Sequence, residues 1–265
     1  MKTLYMDCRM GAAGDMLTAA LLELLPEAER CEFISTFNSM GIPGVVMEAE
    51  PSVKRGVSGT HIHIRVRGVE EGEHLSDHHH DHDHHHTHDH HHTHEHRGMA
   101  EIEEIINGLN AMSEKTKSDV LGVYSLIAEA ESAAHGVPVS ELHFLEVGAM
   151  DAIADISAVC MLMERIAPDI VTASPVNAGG GTVRCAHGVL PVPAPATAYI
   201  LEGIPWYSGD IKSELCTPTG AALLKHFVRD FGEMPVMTAF KKGCGMGTKD
   251  FDVPNCVTVY LGETE

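Results

Sequence analysis

Fourteen of the chain's 20 histidines lie between His74 and His96, in the run HLSDHHHDHDHHHTHDHHHTHEH. No packed core can use so many imidazoles in one place. An expression tag would be a pure block at a terminus, whereas this run is internal and interleaved with Asp77, Asp81, Asp83, Asp89 and Glu95. Imidazole and carboxylate together suit borderline divalent ions such as nickel, zinc, cobalt and copper, and the acids add the negative potential that attracts them. His78, His79, His80, His82, His84, His85, His86, His88, His90, His91, His92, His94 and His96 are therefore candidate metal ligands. The composition equally predicts a solvated, disordered loop, and such a segment can hold several ions weakly. Which ion it prefers stays open, because selectivity needs a fixed geometry.

Four other stretches carry chemistry. In DCRMGAAGDM, Asp7 and Asp15 flank a glycine turn between an expected strand and an expected helix. That geometry can hold a cation between carboxylates or an anion on helix amides, and a helix cap with a tight turn explains the same residues. The GK[ST] ending of a Walker loop is missing. In ELHFLEVGAMDAIADI, His143 and Glu146 are spaced to share one helix face, and Asp151 and Asp155 another. Carboxylates among Val147, Met150, Ile153 and Ile156 need a cation or an arginine nearby unless they form a solvent-facing stripe.

In NAGGGTVRCAHGVLPVPAPAT, Gly179, Gly180 and Gly181 free the backbone for close approach to a ligand. Arg184 supplies a fork for phosphate or carboxylate, and His187 can ligate metal or move a proton; a glycine turn with a surface histidine is the plainer alternative. In ELCTPTGAALL, Thr217 and Thr219 can offer hydroxyls at a helix N-terminus with Lys241 and Lys242 as anion partners, or merely cap the helix that buries Ala221, Leu223 and Leu224. The strand HIHIRVR sets His61, His63, Arg65 and Arg67 on one face, where the two histidines could chelate together or simply face outward.

These residues need elements to position them. Thr3 to Met6 reads as a strand ending at Asp7, followed by a helix from about Asp15 to Leu25 with Asp15 as its cap and one buried face made by Leu17, Ala20, Leu21, Leu24 and Leu25. A second helix covers Ala28 to Met40. Strands over Val45 to Ala49 and His61 to Val66 flank the turn KRGVSGT. After the histidines, helices are expected from Met99 to Ala111, from Ser113 to His135 with Gly136 as C-cap, and from Glu146 to Ile166. Glycine and proline then punctuate short strands and helices over the last hundred residues or so. The fold class is α+β. The chain divides into an α/β part over 1–73, a histidine-rich loop over 74–97, and a helical then α/β part over 98–265 that forms one compact unit with the first.

With 265 residues and 44% hydrophobic content, the chain can bury a real core. A formal charge of −20 repels nucleic-acid phosphates and anionic membranes and favours cations. No apolar run reaches the roughly 18 residues of a membrane span, and MKTLYMDC lacks the order of a signal peptide. Seven scattered cysteines without a CxxC pair read as reduced thiols, so a cytoplasmic location is expected.

In the same order, MDCRMGAAGDM, HFLEVGAMDAIADI, GGGTVRCAHGVLPVPAPAT, ELCTPTGAALL and KGCGMGTKDFDVPN resemble the motifs of the LarC family of nickel-insertion proteins, which complete the nickel-pincer nucleotide cofactor of lactate racemase. An internal histidine-rich loop is similar too. The resemblance spans nearly the whole chain and implies a nickel chelatase of the lyase class. Ni2+ would enter pyridinium-3,5-bisthiocarboxylic acid mononucleotide through one carbon–nickel and two sulfur–nickel bonds, with CTP consumed in the presence of Mg2+ or Mn2+. Its implied partners are the sulfur-inserting enzyme upstream and the apo-lactate racemase or a related enzyme downstream, and a homo-oligomer is expected. Its implied site has His143, Glu146 and His187 as catalytic residues. Asp7, Asp15, Gly179, Gly180, Gly181, Arg184, Thr217 and Thr219 would hold the nucleotide, and His143 and Asp151 would join the run as metal ligands.

Two departures stand out. Family members resemble HFHEVGA where this chain has Leu145, which removes one candidate ligand or base. The chain ends at LGETE, where the family usually continues into a domain associated with CTP, so the resemblance covers an N-terminal part and a C-terminal partner chain could supply the rest. The expected mechanism passes nickel from the run to a stricter site near His143, Glu146 and His187, with phosphate gripped by Arg184 and glycine amides, and with His143 or His187 taking the ring proton. The competing class is a nickel store or metallochaperone without chemistry of its own. A metal-dependent hydrolase is disfavoured, because no HExxH or similar ligand motif occurs.

Overall fold

The stretch Gly14–Leu22, GDMLTAALL, offers almost no polar face, and the helix it forms, α1, is buried all round: only Asp15 is partly exposed. A helix apolar on every side must be surrounded by protein. The computed structural model, which describes residues 1–70, 97–142, 144, 149–185 and 188–265, meets this by laying α1 between a sheet and other helices.

The elements run β1 (Lys2–Asp7), α1, α2 (Glu27–Ser39), β2 (Val45–Lys54), β3 (Val57–Val66), β4 (Val69–Glu70), α3 (Met99–Gly108), α4 (Glu114–His135), α5 (Met150–Ile166), β5 (Ile170–Ala173) and β6 (Val176–Asn177). There follow β7 (Thr182–Cys185), β8 (Gly188–Pro191), α6 (Pro195–Ile200), β9 (Trp206–Tyr207), α7 (Pro218–Phe227), β10 (Asp230–Phe231), β11 (Thr238–Met246) and β12 (Cys256–Glu263). The architecture is α+β. A mixed sheet runs β10-β5-β1-β12-β11-β3-β2, with β4 beside β3, and two small ladders pair β6 with β9 and β7 with β8. β1, β5 and β10 are parallel, so their carboxyl ends open on one side, where the glycine turn after Asp7 emerges.

Helix α1 packs on β11, β3 and β12 and is covered by α5, from beyond the histidine run, and by α7. Its seat on β11 is backbone against backbone. A Cβ at Gly245 would stand 1.8 Å from the Met16 carbonyl oxygen, and one at Gly243 would stand 2.0 Å from that of Ala20. The glycines of GCGMG thus serve packing. Glu23, at the end of α1, accepts hydrogen bonds from Thr60 Oγ1 (2.7 Å) and the Cys244 amide (2.8 Å), fastening the helix to both strands.

Local signals set most of the remaining ends. Ser113 caps α4 by accepting from the Thr116 amide, and Gly136 closes it with φ 66°, as the sequence indicates. The hairpin β2–β3 is longer than expected, because Arg55 and Gly56 both take positive φ and form a two-residue turn whose twist suits the strands. Arg67 and Gly68 repeat the device into β4. Pro51 is tolerated within β2 because β2 is an edge strand. Two expectations are corrected. The last long helix starts at Met150 rather than near Glu146, with extended backbone at Ala149. Asp15 lies inside α1, whose cap position is Ala13, and accepts from the Met16 amide at 2.7 Å. All seven cysteines are free thiols. No helix among the described residues is long and apolar enough to cross a membrane.

Helices α4 and α7 are clasped by Asp119, whose two oxygens meet Lys115 Nζ (2.7 Å) and His226 Nε2 (3.1 Å). Burial alone would raise the Asp119 carboxyl, but the hydrogen bonds from Lys115 and His226 outweigh it and hold the group below the ordinary carboxylate range.

Replacing Gly245 by Ala is expected to cost about 3 kcal/mol or more, since the added methyl overlaps backbone that cannot yield; urea unfolding checks this. For Asp119, the folded-state value lies below the unfolded one. Its contribution is therefore present above a pH of about 4 and is lost as pH falls through the folded value. Asp119→Asn should lower stability at pH 7 by about 1–2 kcal/mol, with the deficit shrinking in melts taken below pH 4.

Candidate functional site

Three backbone segments cross at the carboxyl ends of β1 and β5. The first is the loop 8–13 after β1, tied down as the Cys8 amide donates to Ser174 Oγ (2.8 Å). The second is 177–181, the glycine run, and the third is 213–217, which leads into α7. Ala12 donates its amide to the Leu215 carbonyl and accepts from the Thr217 amide, both at 3.0 Å, while the Leu215 amide donates to the Ala178 carbonyl (3.3 Å). The third segment therefore lies between the other two.

One side chain ties the first two segments to each other and to Gly209. Asn177, nearly buried, donates through Nδ2 to the Arg9 carbonyl (3.0 Å) and accepts at Oδ1 from the amides of Gly179 (3.0 Å) and Gly209 (3.2 Å). Gly179 takes φ +85°, and a Cβ there would meet the Ser213 carbonyl at 2.0 Å, so only glycine fits. The Gly180 amide donates to that same carbonyl at 3.2 Å. The amides of Gly179 and Gly180 thus already have partners within the chain, and the close approach that the glycines permit is to protein. From Gly181 the chain enters the hairpin β7–β8, where Arg184 is exposed on β7.

Asp7, at the end of β1, is paired with Arg9: the guanidinium grips both carboxylate oxygens, at 2.5 Å for Nη2 to Oδ2, and the Arg9 amide donates to Oδ1 (3.1 Å). Two buried thiols line the crossing. Burial raises Cys8 well above its ordinary range, with Cys216 and Asp7 adding to it, and burial with the Glu214 charge pushes Cys216 up to about 12. Both are protonated at neutral pH and are poor metal ligands in that form. Thr217 caps α7, accepting from the Gly220 amide (3.2 Å), and its hydroxyl is 3.0 Å from that of Thr219. Lys241 and Lys242 are not anion partners here. Lys241 Nζ donates to the Leu24 carbonyl (2.6 Å), beyond the far end of α1, and Lys242 lies over the Tyr260 ring.

An acidic cluster sits at the amide end of α1. The Asp155 carboxylate presses on Gly14, where a Cβ would be 2.7 Å from Oδ2, and Asp15 follows in the same first turn. Negative charge is favoured there by the helix dipole. Asp151, four residues earlier on α5, accepts from the Ala152 amide (2.9 Å). Tyr124 of α4 is fully buried, its phenol raised by burial first and then by Asp151 and Asp155, with Arg97 opposing. Arg97 accepts at its carbonyl from the Phe144 amide (2.9 Å), and the Phe144 ring meets Tyr124 edge-on at 6.2 Å. The residue that follows His96 is thereby joined to the residue between His143 and Leu145.

Glu146, His143, His187 and the histidines of 74–96 lie outside the described residues. Among the described ones, no three His, Cys, Asp or Glu side chains form a metal-holding group, and Asp151 stands on α5 beside Tyr124 and Asp155. Sequence reasoning missed Arg9, Asn177 and Tyr124. Arg9 and Asn177 were within the quoted motifs, but an arginine two residues after an aspartate and an asparagine before glycines carry no mark of their partners. Tyr124 had no local signal.

The family model described as Nickel insertion protein matches residues 4–265. A pyridinium-3,5-bisthiocarboxylic acid mononucleotide nickel insertion protein of Clostridium kluyveri is 42% identical over 266 residues, covering 100% of this chain and 63% of that protein. Proteins of the same description from Geobacillus kaustophilus and Clostridium acetobutylicum are 37% and 41% identical, with 60% and 65% of their lengths covered. The chain thus spans about three fifths of the curated relatives it matches. No solved structure matches.

Asn177→Ala would strand the Gly179 and Gly209 amides and the Arg9 carbonyl together. A loss of about 2–4 kcal/mol in urea unfolding is expected.

Proposed function

This chain belongs to the nickel insertion protein family, and on that premise we propose that it collects Ni2+ and inserts it into pyridinium-3,5-bisthiocarboxylic acid mononucleotide, as a nickel chelatase of the lyase class. The observation that carries this is the Arg97–Phe144 pairing, which ties the end of the histidine run to the chain beside His143, next to Tyr124, Asp151 and Asp155. A dense set of exchangeable imidazoles then feeds an acidic site by short transfers.

In this scheme His78 through His96 concentrate nickel, and His143, Glu146 and Asp151 receive it. Their carboxylates supply the negative potential that draws a divalent cation out of weak sites. The nucleotide's phosphate pairs with Arg184, which the glycine run carries at the edge of the crossing. With the amides of Gly179 and Gly180 committed to internal bonds, these glycines shape the loop, and Thr217 and Thr219 shape the helix start. Asp7 acts through Arg9, keeping a cation at the mouth of the crossing, and Asp15 through the first turn of α1. Closing a carbon–nickel bond displaces a ring proton, and His143 or His187 takes it.

CTP with Mg2+ or Mn2+ belongs to the proposal for the whole protein only. The glycine amides that could cradle a triphosphate are engaged and no Walker ending follows them, so no step through CTP is assigned to these residues. The sulfur-inserting enzyme, the apo-lactate racemase or a related enzyme, a homo-oligomeric state and a cytoplasmic setting complete the proposal.

The test mixes this chain with Ni2+, the thiolated nucleotide and CTP, with and without the C-terminal part of a relative, and looks for the nickel-bound product by mass spectrometry. Product is expected, falling about 100-fold or more in the His143→Ala/His187→Ala variant; an unchanged yield would overturn the base assignment. With nickel in excess, serine at every histidine of 74–96 should leave most of the product, whereas a mere nickel store would lose its function.

A further inference from the structure

Strand β3 carries His61 and His63 two residues apart, hence on one face. Register sets Glu50 opposite His61 and Glu48 opposite His63 on β2, while Met47, Ile62 and Ile64 are buried on the other face. The imidazole centroids are 4.5 Å apart with the rings at 88°. His61 Nδ1 lies 2.7 Å from the Met246 carbonyl, which can only accept, so Nδ1 bears a proton and Nε2 is the nitrogen left to ligate. His63 Nε2 lies 2.9 Å from Glu50 Oε1. The His61 ring is thus held through Nδ1 by a backbone carbonyl, and the Glu50 carboxylate stands at ion-pair distance from His63 Nε2. That is how metal-ligating histidines are oriented and made more basic. His61 is 8% exposed and the His63 side chain 17%, while Glu50 at 60% opens the face to solvent.

We propose that His61 and His63 form a two-imidazole site for a borderline divalent transition ion, with Glu50 as the carboxylate behind His63 and water in the remaining positions. Imidazole nitrogen suits nickel, copper, cobalt and zinc, at metal–nitrogen distances of about 2 Å. Binding exchanges an existing hydrogen-bond partner of the pair for the ion, so neither ring needs to be idle beforehand. Two protein ligands make an open site that exchanges its ion, in keeping with the lack of any three-residue metal group among the described residues. None of these residues belongs to the crossing or to the acidic cluster. The strand lies directly before the β3–β4 hairpin, through which the chain enters the histidine run. The site stands on geometry independent of the insertion chemistry.

The test uses Ni2+ as probe and the full chain with serine at all fourteen histidines of 74–96. Titration calorimetry compares this protein with the same protein carrying His61→Gln and His63→Gln; His135, His143, His187 and His226 are present in both, so their binding cancels. The double variant should bind one nickel fewer per chain. Glu50→Gln should weaken that site about tenfold. The His61 and His63 ring proton resonances should broaden as paramagnetic nickel is added. Because His61 also braces Met246, the single His63→Gln variant, which keeps that bond, must show the same loss. Equal nickel stoichiometry and affinity with and without the two imidazoles, or ring resonances untouched by nickel, would overturn the site.

Discussion

Helix α1 rests directly on the backbone of β11, with no side chain between Met16 or Ala20 and the two strand glycines. So close a contact leaves the helix no room to slide or turn, because any shift drives carbonyl oxygens into main chain. The pleat of β11, its ladder with β12 and the two bonds that Glu23 accepts then fix where the helix begins. Everything placed at that beginning inherits the precision: the loop from Cys8 to Ala13, the carboxylate of Asp155 and the bridge from Ala12 to Cys216. A surface helix held by one apolar stripe would tolerate small rotations that this one does not.

The crossing is built on the same economy of space. Three segments exchange main-chain hydrogen bonds, and Asn177 ties the first two to each other and to Gly209 with a single amide that both donates and accepts. A buried amide satisfied on both ends is stiff, and removing it leaves several polar groups without water or protein. The glycine run is thereby a structural joint whose outgoing arm carries Arg184. Charge is sorted around it. The Arg9 cation is paired with Asp7, and the carboxylates of Asp15 and Asp155 lie at the amide end of α1, where the dipole favours them.

Two kinds of metal handling fit this division. A dense run of imidazoles offers capacity, whereas selectivity among borderline ions needs ligands held at a fixed angle. Side chains anchored on α5 and β3 are of the second kind. Along the chain the run joins β4 to Arg97.

The sequence by itself determined the α+β class, the caps of α4, the strand–glycine–helix start, the reduced thiols and the kinship with nickel-insertion proteins, because each is written in local periodicity, turn chemistry or contiguous motif. It could not tell what a motif's glycines approach. GGG read as room for a ligand and GCGMG as mere punctuation, and in each the glycines are met by another part of the chain that lies far away in sequence. Thr217 proved a cap, which its spacing allowed, while Lys241 turned to the end of α1, which nothing local foretold. The start of α5 moved to Met150, and Asp155 acquired its meaning only from Gly14, 141 residues away. Tertiary structure decided these points because a side chain's partner is chosen by three-dimensional neighbours, and those are set by how α1 is buried rather than by the residues on either side.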